Sequence, residues 1–345
     1  MKALVKYARG VGNVRIQEMP VPTLQEENWV LIKVHAAGVC GTDIHVWQDK
    51  FRSWPPVILG HEFSGEVVQT GSEVKKFHVG DRVVAEPNLG GCGVCRYCRS
   101  GNLHMCPEKL TFGWRVHGSM GEYVAMPEYL LHHIPDGVGY TLAALCEPLA
   151  IVVYAVAERG RIEIGDTVLV QGCGPIGILS VYMAKMLGAG QVIVTGVDKS
   201  MEYRLPLARA MGADILVNVQ QEDLAQKIEK LTGGAGVDVV IESSGVPDVI
   251  TQSAFFLRKM GRMIALGIPE GSVNFPWNHA LLKNIDVYFN MSSSYTAWDK
   301  ALDRLAKGGA SLERLITSVR LLEQWEESFN LLLEEKEIKV VFDLE

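Results

Sequence analysis

Cys40, His61 and Glu62 bring one thiolate, one imidazole and one carboxylate within about twenty residues of one another. Three such donors make a ligand set for a zinc ion that keeps a fourth position open for water or substrate. Taken singly, each residue has a plainer reading: a lone cysteine is a small buried hydrophobe and a lone histidine a packed core residue. Their company changes this. Thr42 places a hydroxyl two residues from Cys40, and His45 is able to pass a proton to solvent. Asp43 is able to accept a hydrogen bond from a ligating imidazole, or to act as a helix N-cap.

A second group is denser. Cys92, Cys95 and Cys98 are spaced Cys-x-x-Cys-x-x-Cys, and Cys106 follows. Four thiolates so close in sequence close a tetrahedral sphere and describe a structural zinc site; an iron–sulfur site or redox thiols are the alternatives. Gly90, Gly91, Gly93 and Gly101 let the chain turn sharply around an ion. With four of the chain's seven cysteines in this cluster, the pattern is wrong for a disulfide scaffold. Farther on, Glu147 interrupts an apolar stretch ahead of Pro148. A carboxylate there needs a partner, either the metal or the start of a helix. Cys146 beside it reads as core.

These residues need elements to hold them. Residues 3–5, 14–16 and 30–34 read as strands separated by proline and polar breaks, and residues 119–134 add more. From residue 151 the pattern changes to a helix and then a short apolar strand at 167–170. That strand runs into Gly172-Cys173-Gly174-Pro175-Ile176-Gly177 and a helix through residue 187. Strand before and helix after make this a dinucleotide-binding fingerprint, with the pyrophosphate at the helix N-terminus. Cys173 reads as incidental. The position usually acidic after the next strand is Gly196, and Asp198 comes two residues later. If Asp198 swings back to the ribose hydroxyls, NAD is favoured. If Gly196 leaves room for a 2′-phosphate, Lys199 and Arg204 are counter-charges and NADP is favoured. Alternating strands and helices to residue 268 imply a doubly wound parallel sheet. Ser244, Gly267 and Ile268 fall at strand carboxyl ends, where ligands sit in such sheets. A strand at 285–290, helices at 298–307 and 322–333 and a strand at 340–342 complete the chain.

At 345 residues two domains are expected. A net charge of -7 leaves no basic footprint for nucleic acid or an anionic membrane. No run reads as a membrane span and the N-terminus reads as a strand, so a cytoplasmic protein is expected.

Gly60-His61-Glu62 followed by Gly65, Gly71 and Val74, together with the four-cysteine cluster and the glycine fingerprint, resembles the zinc-dependent medium-chain dehydrogenase/reductase family. It is similar to the polyol (sorbitol, xylitol, butanediol) and threonine dehydrogenase branch, over essentially the whole chain. The resemblance implies an α/β protein. A GroES-like β-rich catalytic domain would span 1–150 and 291–345, with a structural zinc lobe at about 90–108, and a Rossmann domain would span 151–290. It implies two zinc ions and NAD or NADP. Cys40, His61 and Glu62 would be catalytic ligands and Glu147 a fourth or exchangeable one, with Ser244, Gly267 and Ile268 on the nicotinamide side. It implies hydride transfer from a secondary alcohol or polyol, the proton leaving through Thr42 and His45, in a homo-oligomer, dimer or tetramer. Ile44, Trp47, Phe51, Trp54, Trp114 and Tyr295 are candidate pocket residues. L-Threonine 3-dehydrogenase is the alternative enzyme, favoured by Cys40-Gly-Thr-Asp-Ile-His, whereas Glu147-Pro-Leu-Ala fits the polyol branch. A non-catalytic nucleotide-binding protein on the same scaffold is a further alternative.

Overall fold

A computed structural model describes residues 1–345. The chain forms two compact units, Met1–Ala150 with Ser294–Glu345, and Ile151–Ser293.

The first unit is built on a seven-stranded sheet whose central strand is Trp29–Gly38. Its residues are buried along nearly the whole length, with only Lys33 and His35 half-buried. Glu62–Thr70 pairs antiparallel with one side of it, so that Gly38 lies opposite Glu62. On the other side the last strand of the chain, Lys339–Asp343, also pairs antiparallel, with Val341 opposite Gly38. Ile32, Val34, Phe63, Val67, Phe329 and Phe342 are part of the core formed on this sheet. The strand Ile316–Leu321, parallel to Lys339–Asp343, went unread in the sequence because its residues alternate at the sheet edge between half-buried and exposed. The expected helix at 322–333 begins with a 3₁₀ turn, Leu322–Gln324, before Trp325–Leu333.

A short helix, Gly41–Trp47, follows the central strand. Cys40 is its N-cap and Asp43 its third residue, whose carboxylate accepts from the Cys40 N–H. Asp43 therefore belongs inside the helix, and its expected N-cap role falls to Cys40.

The second unit is a six-stranded parallel sheet, with helices between its strands. Numbered from Thr167–Gln171, its strands lie in the order third, second, first, fourth, fifth, sixth. This is the doubly wound order, with its direction reversing beside the first strand. The first strand leads directly into Pro175–Met186, which has Pro175 in its first turn and Gly174 as N-cap. The stretch Tyr140–Arg159 is long and apolar enough to cross a membrane, but 72% of its most apolar 18-residue window is buried inside the fold, which makes it core.

Candidate active site

Asp43 sets the site's spacing. Its Oδ2 accepts from Cys40 N at 2.9 Å and its Oδ1 from Gly60 N at 3.1 Å. One buried carboxylate thus ties the turn carrying Cys40 to the turn carrying His61. Gly60 has φ +89°, and a Cβ there would meet Met120 Cγ at 2.6 Å, so the turn before His61 requires glycine. The expected hydrogen bond between Asp43 and the imidazole is not made: His61 Nδ1 lies 3.9 Å from Asp43 Oδ1. Asp43 spends its oxygens on backbone instead.

The ligand atoms of Cys40, His61 and Glu62 lie within 4.8 Å of one another. His61 is buried, and its Nδ1 has no hydrogen-bond partner. Its ring stands edge-on to Trp114 with centroids 4.9 Å apart, and Trp114 stands edge-on to Phe51 at 5.5 Å. A converging sulfur, nitrogen and oxygen with a buried imidazole nitrogen lacking a partner fits a zinc ion that retains an open position. Burial raises the Cys40 thiol far above its ordinary value, and the carboxylates of Glu62 and Asp43 add to this. Without a cation the site disfavours the thiolate. Thr42 Oγ1 is 3.6 Å from the Cys40 sulfur, and His45 is exposed on the same helix.

The remaining partner of Glu62 lies 277 residues away. Lys339, 2% exposed, donates to Glu62 Oε2 and, at 2.9 Å, to the carbonyl of Val39 next to Cys40. Gly38 makes this possible: a Cβ there would stand 2.5 Å from Glu62 Oε2 and 3.3 Å from Lys339 Cε. Sequence reading missed Lys339; its one signal is a lysine opening the apolar strand Val340-Val341-Phe342. Glu147 lies in the helix Cys146–Val153 and is buried. Burial raises its carboxyl to about 7, with His61 and Lys339 opposing and Glu62 reinforcing the shift. It lies within electrostatic reach of the trio but outside the close cluster.

Cys92, Cys95, Cys98 and Cys106 bring their sulfurs within 4.8 Å of one another. The N–H groups of Cys92, Cys95 and Cys98 point at the sulfurs of Cys106, Cys92 and Cys95, at 3.5, 3.3 and 3.4 Å. Donors aimed at sulfur favour thiolates. Cys106 is accordingly lowered to about 7 by the backbone of Cys92 and Glu108, while burial and Cys95 push Cys98 up to about 12. Four converging sulfurs with no other donor fit a closed structural zinc site.

In the second unit, Gly172, Gly174, Pro175, Ile176 and Gly177 form the turn from strand into helix. A Cβ on Gly177 would meet the Gly172 carbonyl at 2.0 Å, whereas one on Gly174 would meet nothing within 4 Å. The loop is therefore tight behind and open in front, as a phosphate cradle requires. Gly196 is enclosed: a Cβ there would meet Ser200, Cys173 and Leu205 at 2.9–3.1 Å. A side chain larger than glycine would not fit at that residue. Asp198 is exposed at the strand end, its Oδ1 held by Asn218 Nδ2 at 2.6 Å and Gln221 Nε2 at 2.7 Å. Lys199 is exposed and Arg204 half-buried at the start of its helix. Ser244 donates its hydroxyl to Glu242, and Ile268 is exposed beside Gly267.

The family models for the alcohol dehydrogenase GroES-like domain and for zinc-binding dehydrogenase match residues 26–136 and 175–307. D-arabitol-phosphate dehydrogenase of Enterococcus avium is 37% identical over 99% of this chain and 97% of its own length. The chain belongs to the zinc-dependent medium-chain dehydrogenase/reductase family. Sorbitol dehydrogenase of Halalkalibacterium halodurans is likewise 37% identical, over 99% of this chain and 98% of the relative. The structure of 2R,3R-butanediol dehydrogenase from Bacillus subtilis superposes with a TM-score of 0.88 at 30% identity, covering 99% of both chains. As a member of this dehydrogenase family the chain is an oxidoreductase, with a GroES-like unit and a Rossmann unit, acting with zinc and a nicotinamide cofactor.

Among this dehydrogenase's candidate pocket residues, Phe51 and Trp114 pack in line with His61, and Ile44 is buried in the helix that follows Cys40. Trp47 does not join them: it stands edge-on to Trp325 and Phe329 in the core. Trp54 carries the guanidinium of Arg115 over its ring, and Tyr295 leans on His132.

Proposed function

We propose that this chain oxidises a secondary alcohol or polyol to the corresponding carbonyl compound, passing a hydride to NAD. The observation that carries the reading is the convergence of Cys40, His61 and Glu62 on one point, with Asp43 fixing their spacing. These three would hold zinc, and Glu147 is the exchangeable fourth group. Bound there, zinc supplies a Lewis acid that polarises the alcohol oxygen and eases loss of its proton. Thr42 accepts that proton beside Cys40 and passes it, through exposed His45, to solvent. Phe51 and Trp114 exclude water on the His61 side.

The 172–177 loop and the N-terminus of Pro175–Met186 bind the pyrophosphate, with Ser244, Gly267 and Ile268 toward the nicotinamide. The carboxylate of Asp198, held at the strand end by Asn218 and Gln221, favours two ribose hydroxyls over a 2′-phosphate. NAD is therefore the cofactor proposed, and Lys199 and Arg204 are solvated charges of the neighbouring loop and helix.

The cysteine lobe holds a second, structural zinc. A homo-oligomer is supported by the unpaired edge strand Asp286–Phe289, where exposed Phe289 lines one hollow with exposed Trp277 and Leu281. A cytoplasmic location is proposed from cysteines clustered for metal rather than for disulfides. Steady-state kinetics with NAD and NADP against sorbitol, xylitol, 2,3-butanediol, a sugar-alcohol phosphate and L-threonine tests the reading. Turnover of a polyol or diol with NAD is expected. Turnover of L-threonine alone would replace the substrate class.

A further inference from the structure

Glu242 ends the strand Val237–Glu242 and is fully buried, yet no catalytic or binding role so far uses it. Its Oε1 accepts three hydrogen bonds: from Ser244 N at 2.8 Å, Ser244 Oγ at 2.5 Å and Gly245 N at 3.0 Å. Its Oε2 is buried without a partner. Burial raises the carboxyl above its ordinary value against the pull of those bonds. A lone buried oxygen of this kind is better tolerated on a neutral carboxyl than on a carboxylate.

The turn that Glu242 holds touches two other segments at glycine positions. Ser243 Oγ donates to the carbonyls of Gln171 and Gly172, at 2.9 and 3.3 Å. A Cβ on Gly172 would meet Ser244 N at 3.1 Å, and one on Gly177 would meet Ser243 Oγ at 2.9 Å. On the other side, a Cβ on Gly267 would stand 2.3 Å from Gly245 N and 2.4 Å from Glu242 Oε2, and one on Gly245 would stand 2.8 Å from the Ile268 carbonyl. The phosphate loop, the turn at Ser244 and the backbone at Gly267 and Ile268 are thus packed backbone against backbone. The Glu242 carboxyl touches the turn at Ser244 and Gly245 and the backbone at Gly267, and the phosphate loop meets that turn through Ser243 and Ser244.

We infer that Glu242 is a positioning residue for dinucleotide binding: its Oε1 fixes the turn at Ser244 and Gly245, and through that turn the loop 172–177 and the backbone at Gly267 and Ile268. The inference rests on the reading that the 172–177 loop carries the pyrophosphate. It acts by acceptor geometry and not by charge, so glutamine serves in its place and a shorter or apolar side chain does not.

Fluorescence titration of NADH and NADPH into zinc-loaded protein tests this, with zinc content and thermal midpoint measured on each variant. Glu242→Gln is expected to bind NADH within about twofold of the parent. Glu242→Leu is expected to bind about tenfold or more weakly, the scale of buried donors left without an acceptor. Its zinc content and its kcat at saturating cofactor should change little. If Glu242→Leu does not fold, Glu242→Asp takes its place, since the shortened side chain withdraws the acceptor. Tight binding by the Asp variant with weak binding by the Gln variant would assign the role to charge and overturn the inference. Gly174→Asp is the control for the loop: aspartate is a favoured N-cap and has open space there, but it sets a negative charge where phosphate would lie. If Gly174→Asp loses NADH while Glu242→Leu or Glu242→Asp binds like the parent, only the Glu242 inference falls. If Gly174→Asp binds like the parent, the loop reading falls and takes the inference with it.

Discussion

Lys339 and Glu62 form an ion pair buried across Gly38, joining the last strand of the chain to the strand that opens with a proposed metal ligand. The pair leaves Glu62 with one oxygen committed to Lys339. Lys339 also grips the carbonyl beside Cys40. The C-terminal strand is thereby part of the site's frame.

Removing one partner of such a pair leaves a buried charge uncompensated. Lys339→Met is expected to cost about 3–5 kcal/mol of stability, while Lys339→Met combined with Glu62→Gln recovers a large part of the loss. Urea unfolding of chelator-treated protein across the four-member cycle checks this. Equal and additive losses would show that the pair is uncoupled.

The cysteine lobe and the site at Cys40 should separate by function. Cys95→Ser is expected to lose about one zinc per chain and to unfold at lower temperature, because metal binding at a closed thiolate site contributes folding free energy. Metal analysis with a thermal melt reads both. An unchanged zinc content would remove the lobe from the metal sites.

Glu242 gives a pH signature in stability. Its folded value lies above the ordinary 4.5 because of burial. Between those two values the native protein holds a proton that the unfolded chain has released, so stability falls as pH rises. The contribution is full below about 4.5 and lost on passing the folded value. Glu242→Gln has no such proton. Its melting temperature should therefore gain on the parent's as pH is raised from the carboxylate range toward neutrality; parallel curves would contradict this.

Asp198 should govern the choice of dinucleotide. Asp198→Ala removes a carboxylate held toward the strand end by Asn218 and Gln221. The KM for NAD is expected to rise about ten- to a hundredfold, the scale of charged hydrogen bonds to a ribose, with little change for NADP. An unchanged ratio of the two would place the selectivity elsewhere.

Much of this was legible in the sequence because the chemistry is local. The four cysteines lie within one short segment, and the glycine loop is flagged by the strand before it and the helix after it. Cys40, at the start of the helix Gly41–Trp47, and His61 and Glu62, at the start of the strand Glu62–Thr70, lie only about twenty residues apart. What escaped depended on pairing distant in the chain. Lys339 looks like any lysine at the start of a strand until the sheet sets it beside Gly38. Glu242 looks like an ordinary strand-end carboxylate until the fold closes Ser244, Gly245 and Gly267 around it. Asp43 was assigned to the imidazole because a ligating histidine invites a carboxylate, yet the backbone N–H groups of Cys40 and Gly60 had the stronger claim on its oxygens. Trp47, a candidate for the pocket, packs edge-on against Trp325 and Phe329, contacts that no local sequence pattern signals.

The most direct measurement compares Cys40→Ser with the parent for zinc content, circular dichroism and polyol oxidation with NAD. The expected result is an unchanged fold, one zinc retained in the cysteine lobe, and kcat/KM lower by about a thousandfold or more, the scale of several kcal/mol of lost charge stabilisation. Full turnover by Cys40→Ser carrying only the lobe's zinc would contradict the account.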